Sequence, residues 1–248
     1  MGSTEGHPMP ARITSASQGD EPRESRVISR SLDKLLTPAP QLALITEDSP
    51  ARADAERFIA ERFYRHHGAR INEFLPALLT LHCRGEQCAA LGLRPAALDK
   101  LFLEHYLATP AEQAIAALTR GPVSRTAIIE VGNLVSGRSG ASALLFLMLL
   151  AVVHRAGFHW VMFTGTPEVL RGIARLGFAI RVLCPARPEA LPGDSAQWGT
   201  YYDEAPQVAV GFIEESMAAC AENRLMTAAL ALFDGTIGEL AASLKALP

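Results

Sequence analysis

Residues 125–155 read RTAIIEVGNLVSGRSGASALLFLMLLAVVHR, and this stretch decides the fold. Residues 125–135 form an apolar strand. It ends in Ser136-Gly137-Arg138-Ser139-Gly140, and a helix follows directly, running to Arg155 and closed by Gly157. That helix is apolar on every side, which marks a core helix. Its apolar run is also too short for a bilayer, which needs about 20 residues. A strand, a glycine-bracketed loop and a helix can hold an anion, because the first helical turn leaves N–H groups unpaired at the positive end of the dipole. Gly137 and Gly140 let a ligand approach the backbone, and Arg138 adds a cation. The loop matches neither the Walker pattern nor the dinucleotide fingerprint. A tight turn with a Ser cap fits the same residues.

Within the strand, alternation puts Ile128 and Glu130 on one face and Ile129 and Val131 on the other. A carboxylate among apolar neighbours is costly unless paired or used. Two readings stay open for Glu130. It is a general base, acting directly or through water, or it is a strut tied to a loop or to Arg84 or Arg94. Gly132-Asn133 marks a bulge or a close backbone approach. Asn133 orients a substrate or makes a local turn bond.

Outward from this centre, residues 160–164 (WVMFT), 179–184 and 207–213 read as strands, with a short basic helix at 167–176. The connection 185–206 is long and carries Trp198, Tyr201, Tyr202 and Asp203, which suit a pocket wall or simple packing. Upstream, 42–46 is a strand, and Ser49 and Pro50 open a helix that ends at Gly68. Residues 75–83 and 88–95 form a hairpin around Arg84-Gly85-Glu86-Gln87. Helices are expected at 98–106 and 111–118, the second capped by Thr109 with Pro110 at its first position. Glu104 and Tyr106 line a pocket in one reading; in the other Glu104 is a solvated or capping charge. Strands alternating with helices after 125 predict an α/β or mixed α+β layer fold with some parallel pairing. Residues 214–247 read as a helix interrupted near Asp234-Gly235, with a stripe of Met217, Cys220, Leu225, Ala228, Ala229, Leu232 and Leu240. The expected division is a disordered arm at 1–40, a domain at 41–213 and a helical extension at 214–248.

The 248 residues are 49% hydrophobic and 20% charged, with net charge −3. This excludes a disordered or fibrous chain and gives no electrostatic footprint for nucleic acid. The four cysteines are too scattered for a disulfide framework or a zinc ribbon, so reduced thiols are expected, Cys184 among them. The seven histidines show no metal-ligand spacing, and no metal is expected. His66-His67 reads as a helix end facing its dipole. His82 is a weak candidate. Residues 1–30 hold no apolar signal core, so the cytoplasm is the expected compartment.

The order of elements resembles the GNAT acyltransferase fold. There the loop after the fourth strand follows Gln/Arg-x-x-Gly-x-Gly/Ala and binds the diphosphate of coenzyme A or the phosphopantetheine of a carrier protein. Gly140 and Ser142 take the last two small positions, whereas Gly137 stands where Gln or Arg is usual, with Arg138 next to it. A narrower resemblance, to the thermostable hemolysin family, is carried by several words in order. They are Phe63-Tyr64, Gly68-Ala69, Phe74-Leu75-Pro76, Leu101-Phe102-Leu103-Glu104-His105-Tyr106-Leu107 and Pro110-Ala111-Glu112. Glu130-Val131-Gly132-Asn133-Leu134, Gly140-Ala141 and Trp160-Val161-Met162-Phe163-Thr164 continue the series. Leu176-Gly177 and Trp198-Gly199-Thr200-Tyr201-Tyr202-Asp203 complete it. That family looks similar to acyl-homoserine-lactone synthases.

The resemblance implies a GNAT-like mixed sheet flanked by helices. It implies transfer of an acyl group from a coenzyme A or acyl-carrier-protein thioester to an amine by direct attack, with no permanently bound cofactor. The donor would lie on Val131, Gly132, Ser136, Gly137, Arg138, Ser139, Gly140 and Ala141, beside Glu130 and Asn133 as catalytic groups. Glu104, Tyr106, Trp198, Tyr201 and Tyr202 would hold the acceptor. A carrier protein and a second copy of the chain are the macromolecular partners it leaves open. The competing readings are a membrane-active protein using 140–153 or 214–247, and a silent binding module on the same fold.

Overall fold

In a computed structural model, residues 39–137, 140–192 and 195–247 are described. The expected arm therefore lies outside the described residues except for its last two positions, and so do Arg138 and Ser139. Seven strands form one sheet: β1 (Gln41–Ile45), β2 (Ala77–Cys83), β3 (Glu86–Pro95), β4 (Ile128–Ser136), β5 (Trp160–Gly165), β6 (Ile180–Pro185) and β7 (Gln207–Phe212). Their order is β1-β2-β3-β4-β5-β7-β6. Only β4 and β5 run parallel. The helices are α1 (Arg52–His67), α2 (Ala111–Thr119), α3 (Ala141–Arg155), α4 (Pro167–Arg175), α5 (Ile213–Ala221), α6 (Arg224–Leu232) and α7 (Asp234–Lys245).

The hairpin is tighter than its sequence suggests. Arg84 and Gly85 alone make the turn, with φ of 59° and 82°, the left-handed pair that matches the strand twist. Leu81 pairs with Ala89 and His82 with Gln87, so Cys88 is the extra residue of a bulge. Cys88 and Cys83 form a disulfide, their Cα atoms 5.9 Å apart. This corrects the expectation of reduced thiols at these two positions; only the closed turn and the bulge bring them together. Cys184 and Cys220 are free.

Helix α3 is the core helix that its composition predicts: every residue from Leu144 to Val153 is buried. It packs on one sheet face with α5, α6 and α7. The single interrupted helix expected after 213 is three helices. The foreseen break falls at Phe233; a second falls at Asn223, whose side chain accepts the N–H groups of Leu225 and Met226 at 3.1 Å each. Met226, Phe233, Ile237, Ala241 and Leu244 share the α3 core, while Ala228 and Leu232, expected in the stripe, face solvent. The core thus runs on through the C-terminal helices. Among the described residues no single helix is long and apolar enough to cross a membrane.

Three expected starts shift. Ser49 Oγ accepts the N–H of Ala51, and α1 begins at Arg52 rather than at Pro50. Pro110, not Thr109, caps α2, and the N–H of Ala111 goes to the Glu104 carboxylate. Of the helix expected at 98–106, only a 3-10 turn, Phe102–Tyr106, forms.

Candidate active site

The parallel pair β4–β5 holds from Ile128↔Trp160 to Val131↔Phe163 and then stops. Past Val131, β4 stays with β3. There Asn133 and Leu134 oppose Leu91 alone, a bulge in which Asn133 takes φ 51°. The two strands part, and a cavity of about 840 Å³ opens between them. One end is apolar, lined by Phe146, Leu149, Val161, Phe163 and Phe178 of the α3 core. The other end is aromatic and polar: Phe102, His105 and Tyr106 face Trp198, Tyr201 and Tyr202, with His66 and His67 from the end of α1; Arg62, earlier on α1, borders the cavity beside Gly137.

Glu130 borders this cavity and is 3% exposed. Its Oε1 accepts the N–H of Leu103 at 2.8 Å and its Oε2 that of Phe102 at 3.0 Å. Arg94 Nη1 stands 4.0 Å away. The strut contacts are therefore real, to the turn at 102–106 as well as near Arg94, and Arg84 has no part in them. Burial pushes the Glu130 carboxyl above its ordinary range, against the pull of the Leu103 and Phe102 amides. Asn133 also borders the cavity. Its Oδ1 accepts the N–H of Leu75 at 3.0 Å and its Nδ2 donates to the Glu73 carbonyl at 3.3 Å, which fastens the segment before β2.

Glu104 is placed elsewhere. Arg125 grips it with two bonds, of 2.7 and 2.8 Å, and also holds Glu112 at 2.9 Å. The same carboxylate accepts the N–H groups of Leu101 and Ala111, each at 2.8 Å. The Arg125 bond is the main reason that Glu104 titrates at about 2. Glu104 does not reach the cavity; it is a buried strut under the wall that Tyr106 forms. Tyr106 and Tyr202 join hydroxyl to hydroxyl at 2.5 Å, and Trp198 lies at about a right angle to Tyr202, with ring centroids 6.0 Å apart. Burial raises the pKa of both tyrosines, so both stay protonated.

At the end of β4, Ser136 lines the cavity and the Gly137 N–H donates to the Cys88 carbonyl at 2.9 Å. Gly140 takes φ 81° and no side chain caps the helix, which starts at Ala141. Val131 and Gly132 lie on the wall where β4 leaves β5. Cys184 donates to the Tyr106 carbonyl at 3.4 Å, and burial raises its pKa. Sequence reasoning missed Arg62, His67 and Phe102 on the wall. His67 offered the plainest signal, since it directly precedes the Gly68 that turns the chain; its ring packs edge-on against Tyr201, centroids 5.4 Å apart. Burial lowers its pKa, opposed by Glu204.

The model of the thermostable hemolysin family matches residues 45–217, and the chain belongs to that family. No curated protein matches the chain. Among solved structures, the AHL synthase LasI superposes with a TM-score of 0.50 at 9% identity, over 73% of this chain and 93% of that one. TofI in its apo form gives 0.50 at 13% identity, over 72% and 95%. FeeM, an N-acyl amino acid synthase from uncultured soil microbes, gives 0.49 at 17% identity, over 73% and 94%. The fold is the GNAT-like mixed sheet flanked by helices that the sequence led us to expect.

Proposed function

We propose that this protein is an acyltransferase that moves an acyl group from a coenzyme A or carrier-protein thioester to an amine. The observation that carries the reading is the parting of β4 and β5 after Val131 and Phe163. It opens one continuous cavity from the Ser136 end of β4 to the Glu130 carboxylate. The phosphates of the donor would meet the uncapped start of α3, where the N–H groups of the first turn point outward. The pantetheine would run along the freed edge of β4. Backbone N–H groups at Val131 and Gly132 would polarise the thioester carbonyl, and the aliphatic chain would enter the apolar end. The family name points to the alternative of a membrane-active protein, which the structure fits less well, because the apolar faces of α3 and the C-terminal helices are used in one shared core.

The amine enters from the aromatic end. Its nitrogen attacks the carbonyl carbon, the C–N bond forms, and the C–S bond breaks as the tetrahedral intermediate collapses. Glu130 takes the proton lost by the amine, directly or through water, and the thiolate leaves to be protonated. Holding donor and acceptor together in one cleft supplies much of the rate. A thermal-shift screen with acyl-coenzyme A species and an acylated carrier protein tests the reading, followed by mass spectrometry of products from an amine panel. A raised melting temperature and an acylated amine are expected. No shift with any thioester sinks the proposal.

A further inference from the structure

A carbon placed at Cβ of Gly137 would fall 2.6 Å from Nη2, 2.7 Å from Cζ and 2.8 Å from Nη1 of Arg62. The guanidinium of α1 thus occupies the space that a side chain at position 137 would fill. Arg62 borders the cavity, as does His66 one turn along the same helix. The other arginines inside α1 are engaged: Arg52 with Glu56, Arg57 with Asp54 and Arg65 with Glu61. Among the described residues no carboxylate pairs with Arg62; its guanidinium lies over the Phe58 ring, 5.2 Å from the centroid. An unpaired guanidinium seated on a glycine, at the end of a ligand-sized cavity, is arranged to meet an anion.

We infer that Arg62 supplies the cation that binds the donor's diphosphate, and that Gly137 is glycine to leave that cation its seat. The inference rests on the thioester-donor reading above and assigns a residue to it. In the pattern that the loop resembles, Gln or Arg stands at the position of Gly137. Here it comes from a helix packed across β3 and β4. The planar fork of an arginine suits two phosphate oxygens at once. Arg62 is only half-buried, so its contribution to binding is screened by salt.

The test is calorimetric titration of wild type, R62A, R62K and the double variant R62A/G137R. Each is titrated with an acyl-coenzyme A and with the matching acyl-pantetheine, which lacks the diphosphate. Melting temperatures are recorded for all four proteins. R62A is expected to weaken acyl-coenzyme A about tenfold or more, the loss expected for a charged hydrogen bond. The loss should shrink as salt rises. Acyl-pantetheine should bind wild type and R62A alike, R62K should keep part of the affinity, and R62A/G137R should recover it. Equal binding of acyl-coenzyme A by wild type and R62A overturns the inference while leaving the donor reading intact. So does an equal loss for both ligands, which would make Arg62 a part of the wall. A wild type that binds neither acyl-coenzyme A nor an acylated carrier protein overturns the donor reading itself, and the inference with it.

Discussion

Glu130 and Leu103 are joined beside the cavity, the buried carboxylate of β4 accepting the Leu103 N–H at 2.8 Å. Its second oxygen accepts the neighbouring Phe102 N–H, so both oxygens are engaged by amides of one turn. That arrangement changes what a Gln at this position does. A Gln offers one acceptor and one NH₂ group, and the NH₂ group would face an amide donor. Glu130→Gln should therefore cost about 1–3 kcal/mol of stability for one unsatisfied buried amide. If Glu130 also takes the amine proton, turnover falls ~10²–10⁴-fold in addition. Chemical denaturation and turnover on the same variant separate the two effects. A modest stability loss with full turnover would leave Glu130 as a strut alone.

The pH dependence of the wild type follows from the same residue. Burial raises the Glu130 carboxyl, so ionising it works against the fold. Its contribution to stability is present at low pH and is lost as pH rises through its raised value. A base must be ionised, so the rate should climb with pH through a value above the ordinary carboxylate range. A flat profile across that range, measured with saturating substrates, would remove Glu130 as the base.

Glu104 runs the other way. Arg125 holds it down to about 2 from an ordinary 4.5. The stability it contributes is complete above pH 4.5 and is lost as pH falls toward 2, on the order of 3 kcal/mol in all. Glu104→Gln should remove that acid-sensitive part of the stability and leave Arg125 with a weaker partner. Urea unfolding at pH 7 and pH 3 checks it: the gap between wild type and variant should narrow at pH 3. An unchanged gap would mean that the pair contributes nothing pH-dependent.

The centre of the fold is legible because residues 125–165 change period from two to helical and back, with glycines at each junction. Local patterns also reveal the hairpin and the face on which Glu130 sits. Pairings set by topology leave no such trace. Arg125 lies 21 residues from Glu104, and Tyr202 lies 96 from Tyr106, yet each pair makes a direct bond. Arg62 shares its helical spacing with Ala55, Phe58, Ile59 and Phe63, but nothing along α1 says that this part of the helix will border the cavity. Cys83 and Cys88 were read as thiols because their meeting depends on a turn of two left-handed residues and a bulge. Trp198, Tyr201 and Tyr202 were visible as an aromatic cluster in a long loop, and the structure puts all three on the cavity wall.

Gly92 gives a prediction about the bulge. A Cβ there would lie 2.8 Å from Asn133 Oδ1 and 2.9 Å from Leu75 Cβ. The Leu75 atom is fixed to its backbone and cannot swing away, so Gly92→Ala should destabilise by about 1–3 kcal/mol. Asn133→Ala should also destabilise, since it loses the bonds to Leu75 and Glu73 and keeps a left-handed φ. The two share one contact, so the double variant should lose less than the sum of the single losses. Strict additivity in urea unfolding would show that Asn133 and Gly92 do not press on one another.

Gly199 holds the aromatic wall against α1. Its φ is 54°, and a Cβ there would lie 1.9 Å from the carbonyl oxygen of His67. That carbonyl also accepts the Thr200 N–H at 2.8 Å, and Arg70 donates its N–H to the Gln197 carbonyl at 2.7 Å. Gly199→Ala therefore cannot keep the segment docked as it stands. The main core is formed elsewhere, by α3, the sheet and the C-terminal helices, so the variant should unfold at nearly the wild-type temperature. What should change is the wall: Trp198 would leave its place against Phe102, where the ring centroids are 5.8 Å apart, and gain water. The chain has two tryptophans, so a Trp160→Phe background isolates the Trp198 emission, which should shift to the red in Gly199→Ala. On the proposed reading, KM for the acceptor amine should rise more than KM for the donor, because residues 195–204 carry the proposed acceptor wall, whereas Ser136 and Gly137 lie at the end of β4. An equal rise for both substrates, or no spectral shift, would show that 195–204 is not a wall of the acceptor site.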